Sequence, residues 1–285
     1  MTVTDDECRH GLANRECDAC FPKARPETPV VTSTRASRSK AATLARSTAA
    51  EAASLDLAAQ RVYHLTHIDN LAGILAAQAI RSDAEGASPS VDISSPHARE
   101  ARRMITVDDE GHTVADYVPF FLSPNAHVWN SIRAGHDDPR LTLEALGYAA
   151  SEFVLLVSTV KHAFDAATAQ AAAAVDSDAA DAADGSLGGF AVADGDAVGL
   201  LTNFATTRAD AERMLKRLRA DDESESILGA EVLVADTFPF EQISLIGVAN
   251  DKVRATVRGI LSDAGHKTKV AVYPPWFQAT EDIAE

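Results

Sequence analysis

The order of apolar and polar positions predicts a chain of short strands interrupted by a few helices. In Val62-Tyr63-His64-Leu65-Thr66-His67, the residues Val62, His64 and Thr66 are two apart and share one face of a strand. The period then changes. Leu71, Ile74 and Leu75 stand at i, i+3 and i+4, which predicts a helix over 70–79 with Asp69 available to cap its first amides. Asp116 to Leu122 alternates again, with Tyr117, Pro119 and Phe121 on one face and Val118, Phe120 and Leu122 on the other. Pro119 cannot donate to a ladder, so this strand is expected at an edge or kinked. Phe153 to Val160 is a short apolar run with three valines and reads as a central strand. Thr207 to Ala220 carries Met214, Leu215 and Leu218 as the stripe of a helix. Ala230 to Val234, Gln242 to Ala249 and Lys269 to Tyr273 read as further strands, and Pro274-Pro275-Trp276-Phe277 closes the domain. Many strands and few helices, without regular alternation, define a mixed α+β class and not a doubly wound parallel sheet.

Composition sets the boundaries. With 285 residues, 46% of them hydrophobic, the chain can bury one sizeable core and carry attachments. Residues 23–50, rich in Pro, Ser, Thr and Ala with scattered Arg35, Arg38, Lys40 and Arg46, are expected to be a flexible, mildly basic linker. The main domain is placed at 51–285, entered through an Ala-rich helix ending near Gln60. Within it, residues 165–196 are Ala, Asp and Gly rich and are expected to be a low-complexity insertion outside the core. No apolar run approaches the ~20 residues needed to cross a bilayer, and the first ten residues have neither a basic nor an apolar leader region. A soluble, cytoplasmic protein with no membrane partner is the expectation.

The net charge of -16 argues at first against a polyanionic partner. Its distribution changes that reading: residues 165–196 hold seven aspartates and no basic residue, whereas residues 1–50 hold eight Lys or Arg against six acids. The field near a site, not the sum, decides what it attracts.

Three stretches carry candidate chemistry. Cys8, His10, Cys17 and Cys20 form a C-x-H-x6-C-x2-C pattern, four ligands suited to tetrahedral zinc. A segment of this size (residues 1–22) has no core of its own, so a closed, structural zinc site is expected there. His64 and Thr66, side by side beside the strand-to-helix turn that presents Asn70, could hydrogen-bond sugar hydroxyls or an amide. The run Ala98 to Met104 bears Arg99, Arg102 and Arg103, ordinarily a solvated helical face.

Taken in order, Tyr63 to Leu71 (YHLTHIDNL), Asp116 to Pro124 (DYVPFFLSP) and Gly229 to Val234 (GAEVLV) resemble the DarT family of DNA ADP-ribosyltransferase toxins, over most of residues 60–280. The resemblance implies an ADP-ribosyltransferase-like core, a mixed or antiparallel sheet with flanking helices, here preceded by the zinc-knuckle-like segment. It implies transfer of ADP-ribose from NAD to a base of single-stranded DNA, a toxin role, and a macrodomain-type antitoxin that reverses the modification. By the same resemblance Glu231 is the catalytic carboxylate, and an arginine preceding the D-Y-V-P strand belongs to the active site. Arg102 or Arg103 fills that place, with Arg103 favoured. His64, Thr66 and Asn70 are placed against the nicotinamide ribose or carboxamide. Of Phe120 and Phe121 one is placed against the nicotinamide ring, Phe121 being the candidate, although core packing is the ordinary use of either. No G-x-G-x-x-G or P-loop follows a strand, so NAD is not expected to be held in the Rossmann manner.

Two alternatives remain at this stage. Where many relatives carry an arginine-containing P-R-S-P stretch, this chain has Pro124-Asn125-Ala126-His127, and Asp221 to Ser226 is acidic; both favour RNA or protein as acceptor. A non-catalytic nucleic-acid-binding module is the second, and the presence of His64 and Glu231 speaks against it.

Overall fold

The computed structural model describes residues 57–174, 189–220 and 225–279. The chain divides into two units, Met1–Asp56 and Leu57–Glu285, and every described residue belongs to the second. The expected zinc ligands Cys8, His10, Cys17 and Cys20 and the linker 23–50 lie outside the described residues.

Ten strands are described: β1 (Arg61–His67), β2 (Ala79–Arg81), β3 (Tyr117–Phe121), β4 (Phe153–Thr159), β5 (Phe190–Ala193), β6 (Phe204–Ala205), β7 (Glu231–Ala235), β8 (Thr237–Pro239), β9 (Leu245–Val248) and β10 (Lys269–Val272). Eight form one sheet in the order β10-β9-β4-β1-β3-β7-β5-β6, and β2 pairs with β8 separately. Only β10 and β9 run parallel within that sheet; its other neighbours are antiparallel. The expected α+β class with a mostly antiparallel sheet is therefore what the chain adopts. The ladder of β1 with β4 runs through seven pairs, from Arg61 opposite Thr159 to His67 opposite Phe153.

Side chains alternate across the sheet, and each face is closed differently. On one face Val62, Val118, Phe120, Val154, Leu156, Val232 and Ile246 are buried under the helices Leu71–Ala77, Val160–Ala174, Arg208–Ala220 and Asp251–Asp263. On the other, Tyr63 stands edge-on to Trp276, and Trp129 packs on Phe153 and Phe277. Trp276 lies so close over β9 that a Cβ at Gly247 would come within 2.7 Å of its ring, which is why that strand position is glycine.

Three expectations are corrected. The segment 165–196 is not wholly outside the core: the helix Val160–Ala174 buries Ala163, Ala166 and Ala167, and β5 is buried at all four positions between β7 and β6. Small side chains let a helix lie close to a sheet, and a four-residue strand flanked by Gly and Asp leaves little periodicity to detect. Strand β3 is not at an edge; it lies between β1 and β7. Its proline acts on one side only, as described next. Finally, Asp69 caps nothing: its carboxylate is exposed, and the imidazole of His67 accepts the Asp69 amide instead.

Candidate active site

The site forms where the sheet comes apart. Strand β3 pairs with β7 at every residue from Tyr117 opposite Ala235 to Phe121 opposite Glu231, but it registers with β1 at Tyr63 opposite Phe121. Pro119 has no N–H to offer β1, and its carbonyl accepts a 2.9 Å hydrogen bond from the His64 ring instead. A carbonyl can only accept, so His64 Nδ1 carries the proton and Nε2 is left as an acceptor. Burial holds the imidazole below its ordinary pKa; the Pro119 bond opposes this and the charge of Arg102 reinforces it. His64 is thus a neutral ring of fixed tautomer.

The split lets side chains from opposite faces line one cavity of about 620 Å³, with His64 and Thr66 on one side and Tyr117, Pro119, Phe121 and Glu231 on the other. That volume lies in the usual range for a small-ligand site, on the order of 300–1,000 Å³. Glu231, at the start of β7, is 4% exposed. Its Oε1 accepts the Ala197 amide at 3.1 Å, and its Oε2 is buried without a hydrogen-bond partner, 3.6 Å from Nη1 of Arg102. Burial pushes this carboxyl above the ordinary glutamate range, with Arg102 pulling it down and the neighbouring Asp196 pushing it further up. An orphaned buried oxygen is costly and is retained where a ligand will use it.

Arg102 is delivered by the helix Pro96–Met104, capped by Ser95, whose hydroxyl accepts the Ala98 amide and donates to the Pro139 carbonyl. Ala98 is the buried residue of this helix, and Arg102 follows it at i+4 on the same face. Arg102 is anchored by the Val114 carbonyl and lines the cavity. Arg103, favoured on sequence, is exposed and near Glu100 instead. Position on the helix, roughly 100° per residue, separates the two.

Asn70 lines the cavity but is occupied: its amide donates to Val91 O at 2.9 Å and to Thr66 Oγ1 at 3.1 Å, while its Oδ1 accepts from Val91 N at 2.8 Å. It pins the segment Ser88–Ser94, which forms one wall. Phe121 lines the cavity, whereas Phe120 is fully buried and packs on Phe238. Sequence reasoning passed over Arg99, Arg140 and Asp196. Arg99 pairs with Asp92 at 2.6 Å, and Arg140 spans from Asp138 to Asp196 with 2.6 Å contacts to each. Arg140 and Asp196 stand 56 residues apart, so only folding brings that pair together at the cavity.

A split antiparallel sheet whose cleft sets a neutral histidine against a buried glutamate–arginine pair defines, with the sequence motifs it gathers, an ADP-ribosyltransferase. The family model described as "ssDNA thymidine ADP-ribosyltransferase, DarT" matches residues 63–278, and the chain belongs to that family. A DNA ADP-ribosyl transferase of Mycobacterium tuberculosis (strain ATCC 25618 / H37Rv) is 25% identical over 230 residues, 75% of this chain and 86% of the relative. The fold matches Thermus sp. 2.9 DarT in complex with ADP-ribosylated ssDNA, with TM-score 0.60 and 21% identity over 76% of this chain and 96% of that one. The same protein in complex with NAD+ gives TM-score 0.56 with 21% identity, over 76% and 97% of the two chains. The chain is accordingly an NAD-dependent ADP-ribosyltransferase acting on DNA. No helix among the described residues is long and apolar enough to cross a membrane.

Proposed function

We propose that the cavity at the split sheet binds NAD and that Glu231, Arg102 and His64 carry the transfer of ADP-ribose to a ring nitrogen of thymine in single-stranded DNA. The observation that carries this reading is the buried, unpartnered Oε2 of Glu231 facing Arg102. NAD supplies the ribose carbon, with nicotinamide as the leaving group. As the bond to nicotinamide breaks, positive charge grows on the ribose, and a carboxylate held in a desolvated site stabilises it where water would screen it. Thymine in a nucleoside has one N–H, at N3. Glu231 takes that proton as the nitrogen bonds to the ribose carbon, so the carboxylate ends protonated and nicotinamide leaves with the bonding pair. The charge of Arg102 favours the ionised form of Glu231 against the effect of burial, and Arg99 and Arg102 offer cations to the pyrophosphate. The neutral Nε2 of His64 and the hydroxyl of Thr66 receive ribose hydroxyls, Phe121 flanks the nicotinamide, and Asn70 holds the Ser88–Ser94 wall and makes no ligand contact itself. An unpaired base is the natural acceptor, because extraction from a duplex costs stacking and pairing energy.

A toxin role, a macrodomain-type antitoxin and a closed zinc site at Cys8, His10, Cys17 and Cys20 belong to the same proposal, the last on ligand spacing alone. Incubation with NAD and thymidine-containing oligonucleotides, followed by mass spectrometry, tests the reading. The expected product is an oligonucleotide carrying one ADP-ribose on thymine. Labelling confined to RNA or protein offered in the same experiment would overturn it.

A further inference from the structure

Glu231 and Arg102 come from different parts of the chain, and Glu231 Oε2 stands 3.6 Å from Nη1 of Arg102 without a hydrogen bond. Their alignment is therefore left to the elements that carry them. Glu231 is braced by the Ala197 amide at 3.1 Å, and the helix that delivers Arg102 begins at its cap, Ser95. Both braces lead to one residue.

That residue is Arg140. Its carbonyl accepts the Ser95 amide at 2.8 Å, next to a bridge between Ser94 and Leu141, and the Pro139 carbonyl accepts the Ser95 hydroxyl at 2.6 Å. Its side chain reaches the other brace. Nε and Nη2 donate to the two oxygens of the buried Asp138, at 2.8 and 2.6 Å, and Nη1 donates to Asp196 Oδ2 at 2.6 Å. Asp138 is held in turn by Ser131 on the helix His127–Ala134. Asp196 opens the turn that presents the Ala197 amide: its Oδ1 accepts Val198 N at 3.0 Å, and its carbonyl accepts Gly199 N and Thr202 Oγ1 at 2.8 and 2.6 Å. A rigid guanidinium fork suits such a bridge between two carboxylates.

Arg140 also lines the cavity, which raises the alternative of direct contact with a ligand phosphate. Two carboxylates already face its single charge, and each of its three nitrogens donates to one of them. A cation shared in this way is a poor anchor for a further anion. Resting on the function proposed above, we infer that Arg140 is a positioning residue for the transfer: acting through Asp196, it holds the Ala197 amide on Glu231, while its backbone holds the cap of the Arg102 helix. A displacement of about 1 Å in a reacting constellation can cost on the order of 10² in rate, so a side chain that acts only through Asp196 can govern turnover.

The test uses the full chain, NAD and a thymidine-containing oligonucleotide. Asp196→Ala leaves the Arg140–Asp138 fork in place, so the thermal midpoint should stay near that of wild type. Its kcat should fall about tenfold or more while KM for NAD and for the oligonucleotide stays within about twofold, the signature of lost alignment and not of lost binding. Arg140→Gln should lose kcat likewise and thermal midpoint as well, because Asp138 loses its partner. The double variant should have a kcat no lower than the worse single one, since both changes cut one connection. Independent, multiplying losses would overturn the inference, and so would a rise in KM confined to Arg140→Gln, which would mark direct contact with a ligand. If Arg140→Gln does not fold, Asp196→Ala decides alone, and a kcat within twofold of wild type refutes the positioning role. Should wild type leave DNA unmodified, the function proposed above fails. Hydrogen exchange of the Ala197 amide then judges the brace separately: it should quicken about tenfold or more in Asp196→Ala, and unchanged exchange refutes the inference.

Discussion

The two flanks of β1 are built from one strand and serve opposite ends. Toward β4 it forms seven consecutive pairs, and every residue from Phe153 to Ser158 is buried. Toward β3 it registers at Tyr63 and then parts, because Pro119 withholds a donor and the His64 ring takes up the exposed carbonyl. Backbone satisfaction on the first flank gives stability; its interruption on the second leaves the cavity lined by His64 and Thr66 on one side and Pro119 and Phe121 on the other. The difference also appears in two carboxylates. Asp138 accepts from Arg140 and Ser131, which hold it at about 2 although burial alone would raise it. Glu231, with one oxygen unpartnered, is raised instead. One has both oxygens hydrogen-bonded within the protein, and the other has one oxygen hydrogen-bonded and the second 3.6 Å from Arg102 without a hydrogen bond.

The sharpest way to break this comparison is Glu231→Gln. Glutamine cannot carry the charge or accept the thymine proton, so DNA modification should fall by about 10²–10⁴ or more. Because the folded-state pKa of Glu231 is raised, ionising it opposes folding: its favourable contribution is present below the unfolded pKa and lost as pH rises through the folded one. The variant's thermal midpoint at neutral pH should therefore match or exceed that of wild type. Wild-type activity should decline with acidification at a higher pH than an ordinary glutamate would give. A variant that is inactive because it is unstable would contradict the assignment of the charge to catalysis.

On the stable flank, Leu156→Ala opens a cavity at a fully buried position paired with His64 and should cost about 2–5 kcal/mol by denaturant unfolding. A smaller loss would mean that this ladder does not carry the core. Asp138→Asn should destabilise by about 2 kcal/mol at neutral pH, the equivalent of a carboxyl lowered from 3.8 to about 2. That stability is present above the unfolded pKa and is lost as pH falls through the folded one, so wild type and variant should converge in acid. Finally, Arg102→Gln should reduce DNA modification by about 10² or more, whereas Arg103→Gln, on an exposed side chain, should change it by less than about twofold. Equal effects from the two would dissolve the distinction drawn from the helix face.

Much was legible in the chain before folding. Alternation and apolar runs located β1, β3, β4, β7, β9 and β10, because side chains that must alternate between two faces leave a period of two in the sequence. The three motifs placed His64, Phe121 and Glu231 within short local windows, whereas the missing N–H of Pro119 pointed to an edge or kinked strand and the strand lies between two others. What only the tertiary structure decided is how those windows meet. β5 has too few residues to show a period, and the helix before it hides its buried face behind alanines. Arg102 differs from Arg103 by the angle of one residue on a nine-residue helix, which matters only once Ala98 faces inward. Arg140 and Asp196 stand 56 residues apart and meet because two loops fold over the same mouth. A sequence records what each residue prefers of its neighbours along the chain; which distant charges share a desolvated cavity is fixed by packing.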